Sequence, residues 1–251
     1  MPERQPLTVL CLHETATTGR IWDPLADALS GHAKVIAPDR PGWGDADVPE
    51  GYSRTTVAEQ AGYAAKALGD RGPAVVCGAG IGAVVALELS LAEPELVIGT
   101  VLVEPPLLSF LPEATDRLAA DVATVRQAVA ESGSEAALDA YLAGRLPALG
   151  AGAGRIPYDQ GDRGPGATAA LFAELSAVPA WERSDAELAA ATKPALIAIA
   201  ADSPPLLAKS AIELARVLAR SDLRETEPGL PHFDRAGELA ALVVEVGDTL
   251  A

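Results

Sequence analysis

A chain of 251 residues, 49% of them hydrophobic, has enough apolar material for one large α/β domain or two small ones, and one compact domain is the simpler expectation. Its 19 Lys and Arg stand against 35 Asp and Glu, a net charge of −16, with the acidic residues spread through helical segments instead of gathered in blocks. That balance excludes a basic phosphate-binding face, and with it nucleic acid and anionic membranes as partners.

The opening MPERQPLTVLCLHE holds an apolar run too short for a signal-peptide core or a membrane span, so a cytoplasmic protein is expected. Residues 7–13 (LTVLCLH) read as a buried strand and 33–38 (AKVIAP) as the next, with an amphipathic segment over 21–29 between them. A helix over 55–68 opens on Thr55, Thr56 and Glu59 at capping-box spacing. Then come a strand at 74–78 (AVVCG), a helix from Ile81 to about Leu91 and a strand at 97–104 (VIGTVLVE). Strands that are apolar throughout and alternate with helices predict a mostly parallel sheet covered by helices on both faces.

The alternation then stops. Between Pro105 and Lys193 no strand pattern occurs, while Ala-rich helical patterns fill 115–131, 134–146 and 168–177, separated by GAGAG (150–154) and QGDRGPG (160–166). After this stretch a strand at 195–201, a helix over 206–219, a short strand at 222–227 and a helix over 236–247 complete the chain. The expected organisation is an α/β core in two parts, 1–110 and 193–251, interrupted by a helical insertion at 111–192 that acts as a lid over the carboxyl ends of the strands. Cys11 and Cys77 lie in apolar strand-like runs and read as small buried hydrophobes. Two Cys and three scattered His lack metal-ligand spacing, so neither a metal nor another cofactor is expected.

Four segments, in this order and spacing, resemble the α/β-hydrolase superfamily: LHETATTGRIWDPLADAL (12–29) its His-Gly oxyanion loop and first helix, APDRPGWGDAD (37–47) its Asp-Arg-x-Gly-x-Gly turn, CGAGIGAVVALELSLAEPELV (77–97) its nucleophile elbow, and GLPHFD (229–234) its catalytic-His loop. The resemblance covers nearly the whole chain, although the superfamily's first antiparallel strands have no counterpart. The elbow departs most. Gly78, Gly80 and Gly82 occupy a Gly-x-nucleophile-x-Gly pattern, and Gly80 stands where Ser, Cys or Asp belongs, so no nucleophile is assigned and the covalent routes of the family lack an attacking atom. Cys77 lies three residues back in the strand and reads as buried, not reactive.

The resemblance makes His232 the general base, oriented by either Glu104, at the end of VLVE, or Asp202, at the end of the strand before the last; each of the two acids also has a plain structural reading. His13 corresponds to the residue that holds the oxyanion loop. Glu14 replaces the usual Gly beside it: pointing inward it opposes an oxyanion and can act as a base, and pointing outward it is a solvated charge. Oxyanion donors are expected from the N–H groups of Thr15, or Glu14, and Ile81, and Trp22, Trp43, Phe110, Leu111 and Trp181 are candidates for the pocket wall or for plain packing.

Two functions remain. One is hydrolase- or lyase-type chemistry on a small, mostly apolar carbonyl or ester compound without a covalent acyl-enzyme, His232 being the base. The other is a non-catalytic pseudoenzyme that binds a small hydrophobic ligand. Both imply a small-molecule substrate or ligand as partner, and a homodimer is compatible with either.

Overall fold

The computed structural model describes residues 6–112, 114–143 and 164–248. Six strands, β1 (Leu7–Leu12), β2 (Ala33–Ile36), β3 (Ala74–Ala79), β4 (Val97–Val103), β5 (Ala195–Ala200) and β6 (Ser221–Thr226), form one sheet in the order β2-β1-β3-β4-β5-β6. Every pairing is parallel, so each strand is followed by a crossover that lays a helix on the sheet.

Alternation along the strands divides the core between the two faces. Leu10, Leu12, Val76, Leu102 and Ile197 pack on one side with α2 (Val57–Leu68), α3 (Ile81–Ala92) and α8 (Pro205–Val217). Val9, Cys11, Val75, Cys77, Val101 and Ala198 pack on the other with α1 (Asp23–Ala28) and α9 (Ala236–Asp248). Cys11 and Cys77 face each other across β1 and β3, both free and fully buried, and burial pushes the Cys11 thiol up, with Cys77 adding to the shift.

Local chemistry fixes the helix ends. Thr56 caps α2: its Oγ1 accepts from the Glu59 N–H at 3.1 Å while the Glu59 carboxylate accepts from the Thr56 N–H at 2.7 Å. The helix then buries Val57, Ala61, Ala64 and Leu68, the i, i+4, i+7, i+11 row that faces the sheet. In contrast α3 is buried on every side from Ile81 to Ser90, the pattern of a helix sandwiched between sheet and other helices.

Among the described residues four α-helices lie between β4 and β5, α4 (Ala114–Ser132), α5 (Glu135–Leu142), α6 (Ala167–Glu174) and α7 (Asp185–Ala189). The expected helix over 134–146 ends earlier in the described residues, and GAGAG with the start of QGDRGPG lies outside them. The five-residue α7 has no counterpart in the sequence reading, although Ser184 and Glu187 form a second capping box. Among the described residues no helix is long and apolar enough to cross a membrane.

In this strand order the chain leaves β1 for β2 on one side and returns to β3 on the other. The reversal opens a crevice at the carboxyl ends of β1 and β3, the place where open parallel sheets bind ligands.

Candidate active site

Gly80 links β3 to α3 with φ +54° and ψ −125°, and its N–H donates to the Val103 carbonyl at 3.1 Å. An L side chain is strained at that φ. It would also have no room, because a Cβ on Gly80 would lie 2.8 Å from the Cβ of Glu14. The register explains the meeting: Leu12 pairs with Gly78, so two residues further along the adjacent parallel strands Glu14 comes level with Gly80. Gly82 is a close-approach position too, since a Cβ there would stand 2.1 Å from the Leu12 carbonyl oxygen.

Glu14 points inward. It is 7% exposed, and its Oε1 lies 3.3 Å from Nε2 of His232, itself 2% exposed. The His232 ring rests against Trp22, with centroids 5.0 Å apart and a 45° tilt. The Glu14 contact lacks the alignment of a hydrogen bond, and neither ring nitrogen of His232, nor Oε1 of Glu14, nor Nε1 of Trp22 has a hydrogen-bond partner among the described residues. Buried polar atoms are nearly always paired, so four orphans in one place mark a site built for something other than stability.

Neither acid expected to orient His232 hydrogen-bonds its ring. Asp202 is exposed and accepts from the Gly229 N–H at 2.9 Å, so it pins the backbone of the loop that carries His232. That loop is further held where the Leu230 N–H donates to Asp234 at 2.7 Å. Glu104 is buried at φ +47° and accepts from the Ser203 hydroxyl, whose oxygen in turn accepts from the Ala200 N–H at 2.8 Å. A charged residue held in the left-handed region is backbone strain beside the site.

The loop from β1 is fixed by His13 and Arg40. The Arg40 N–H donates to His13 Nε2 at 2.9 Å, which leaves the imidazole proton on Nδ1, and this donates to the Glu14 carbonyl at 2.9 Å. Burial, then the Arg40 charge, hold His13 well below its ordinary pKa, so the ring is a neutral strut. Arg40 also donates through Nε to the His13 carbonyl at 2.9 Å and forms a buried ion pair with Glu174 of α6. Glu174 accepts in addition from Trp43 Nε1 at 2.8 Å and from Thr15 Oγ1 at 2.9 Å. Sequence reading passed over Glu174, and the clue was its place as the one charge in the apolar run AALFAEL.

A cavity of about 130 Å³ lies between these strand ends and the helical segment. Glu14, Thr15, Gly80 and Ile81 form its floor, and Leu108, Leu118, Leu171 and Val178 contribute to a mostly apolar wall that Tyr141 and Glu174 interrupt. Burial, then the Glu14 charge, push the Tyr141 phenol far up, so it keeps its proton. His232 is not part of this lining, but its Nε2 lies 3.3 Å from Oε1 of Glu14, which is. Trp22, Trp43, Phe110, Leu111 and Trp181 do not line the cavity either: Trp22 backs His232, Trp43 holds Glu174, Trp181 Nε1 donates to Glu88 at 2.9 Å, and Phe110 and Leu111 pack at the base of the helical segment.

A doubly covered parallel sheet with a Gly-rich strand-to-helix turn, a late His loop and a cavity over its switch point defines the α/β-hydrolase class. The model of the alpha/beta hydrolase family matches residues 9–242, and the chain belongs to that family. It is 31% identical over 244 residues, 90% of this chain and 81% of the other, to a 2-(acetamidomethylene)succinate hydrolase of Mesorhizobium japonicum. Among solved structures it resembles the enol-lactonase from Burkholderia xenovorans, with TM-score 0.69 at 17% identity, covering 98% of this chain and 93% of that one. It resembles equally Est816, described as an N-acyl homoserine lactone degrading enzyme, with TM-score 0.69 at 21% identity, covering 96% and 93%.

Proposed function

We propose that the protein hydrolyses a small, mostly apolar carbonyl compound of the ester or lactone type by direct attack of water, without a covalent acyl-enzyme, with His232 as the base that finally holds the proton. The observation that carries this reading is Glu14 at the floor of an apolar cavity whose elbow offers no nucleophile, its Oε1 3.3 Å from His232 Nε2 and neither atom hydrogen-bonded among the described residues. The helices over the cavity serve as its lid. The 31%-identical relative is a hydrolase and the fold neighbours include lactone-degrading enzymes, which supports hydrolysis as the reaction. The substrate parts from the succinate of that relative's name, because the lining carries the Glu14 carboxylate and, among the described residues, no Lys, Arg or His, while Glu174 is already paired with Arg40. A neutral molecule avoids the cost of bringing a second negative charge beside Glu14.

The test is a panel of short and medium acyl esters and lactones, run with a fluorophosphonate label. Turnover without labelling is the expected result, and His232→Ala should lower kcat by about 100- to 10,000-fold at an unchanged melting temperature. A His232→Ala variant with the wild-type rate removes His232 from the mechanism. A second reading, a pseudoenzyme that holds a small hydrophobic ligand, draws on the lack of a hydrogen bond between His232 and either Glu104 or Asp202. It requires ligand binding in the cavity with no turnover of any ester or lactone in the panel.

A further inference from the structure

We propose that Glu14 takes the reacting position that Gly80 leaves open, and carries protons between the cavity and His232. The inference rests on the hydrolytic reading above and adds to it the group that meets the substrate. The steric facts come first. The space in which a side chain at position 80 would sit is filled by Glu14, whose Cβ lies 2.8 Å and Oε2 3.6 Å from the position of a Gly80 Cβ. Functional group and small residue have therefore changed places across adjacent strands: the elbow supplies the Gly, and the loop after β1 supplies the reactive side chain at nearly the same point in space.

Accessibility decides the order of the two groups. Glu14 lines the cavity and His232 does not: the ring lies 3.3 Å from Glu14 with both nitrogens without a hydrogen bond among the described residues. The carboxylate that meets the cavity is the catalytic residue, and the imidazole behind it receives the proton.

Charge balance supports a relay over a fixed negative charge. The Ile81 N–H, in the first turn of α3, has no intrahelical acceptor, and Ile81 lines the same cavity as Glu14. A permanent carboxylate there would oppose any oxyanion formed at that donor. A carboxylate backed by His232 does not: water gives its proton to Glu14 and onward to His232 as its oxygen bonds the carbonyl carbon, and the carbonyl electron pair moves onto oxygen. The Glu14–His232 pair goes from one negative charge to none in the same step. Collapse of the tetrahedral species breaks the bond to the leaving oxygen, which takes the proton back along the relay. One ester and one water become one acid and one alcohol, and the pair is restored.

The experiment uses the ester and lactone panel with Glu14→Gln, Glu14→Ala and the double variant Glu14→Gln/His232→Ala. Glu14→Gln should lower kcat by about a hundredfold or more at an unchanged melting temperature. Added formate, a free carboxylate small enough for the space left by Glu14→Ala, should restore rate to that variant in a saturable way, which a merely structural Glu14 would not allow. The double variant should be no slower than the slower single one, because both changes interrupt the same proton path. Glu14→Gln at the wild-type rate, or Glu14→Ala that formate leaves inert, overturns the role of Glu14 while direct hydrolysis stands. A wild type that turns over nothing in the panel overturns the hydrolytic reading itself, and the relay with it.

Discussion

A Ser placed at position 80 would need room that Glu14 already fills, and a backbone angle that only Gly adopts without strain. Gly80→Ser is therefore expected to lose about 1–3 kcal/mol of stability through overpacking and strain, read as a lower melting temperature. Adding Glu14→Gly should return much of that loss and expose the new hydroxyl to a fluorophosphonate that labels neither the wild type nor Gly80→Ser strongly. A Gly80→Ser protein as stable as the wild type would show that the two positions do not compete. At this scale the sequence was half legible. The missing nucleophile and the isolated late His were plain in GAGIG and GLPHF, whereas the direction of Glu14 depends on the β1–β3 register, which is a long-range pairing with no local signature. The acids at 104 and 202 were visible as residues, but their partners, Ser203 and the Gly229 N–H, are settled by loop geometry beyond the reach of spacing.

Two buried carboxylates tie helices to the sheet at the element scale. Glu174 brings α6 onto Arg40, and Glu88 of α3 accepts from Arg183 at 3.0 Å and from Trp181 at 2.9 Å, anchoring the segment before α7. Removing one partner of a buried pair leaves the other charged and unsolvated, which costs about 3–5 kcal/mol. Glu174→Ala should show a loss of that order in chemical denaturation, since Arg40 is 4% exposed. Glu213→Ala, which breaks a surface pair with Arg216, should stay within about 1 kcal/mol of the wild type. Equal losses in the two variants would mean that the buried pair is no more than a surface contact. The α/β core was legible because apolar strands and capped helices announce themselves locally, α2 through Thr56 and Glu59 above all. The helical segment was legible as helices and read as a lid from its place in the chain, but the polar contacts that seat it were not, because they join residues more than a hundred positions apart, such as Arg40 with Glu174.

Over the whole molecule, a net charge of −16 and the Glu14 carboxylate at the cavity floor act in the same direction. An anionic ester meets a repulsive field during approach and again at the site. Raising the ionic strength from about 0.01 to 1 M shortens the screening length from about 30 to 3 Å, so kcat/KM for an anionic ester should rise about threefold or more. A neutral ester of the same size should change less than about twofold over that range. If the two respond alike, the field plays no part in selecting substrate.

The parallel register of β1 against β3 has one more implication. Because neighbouring strands end side by side, a reactive atom can be handed from one strand end to the next without moving in space, and the backbone need not change. An active centre of this fold is then an address in three dimensions that more than one chain position can fill. A family member with an empty elbow should be inspected across the strand boundary, at the position two residues beyond the last paired residue of the adjacent strand, before it is set aside as inert.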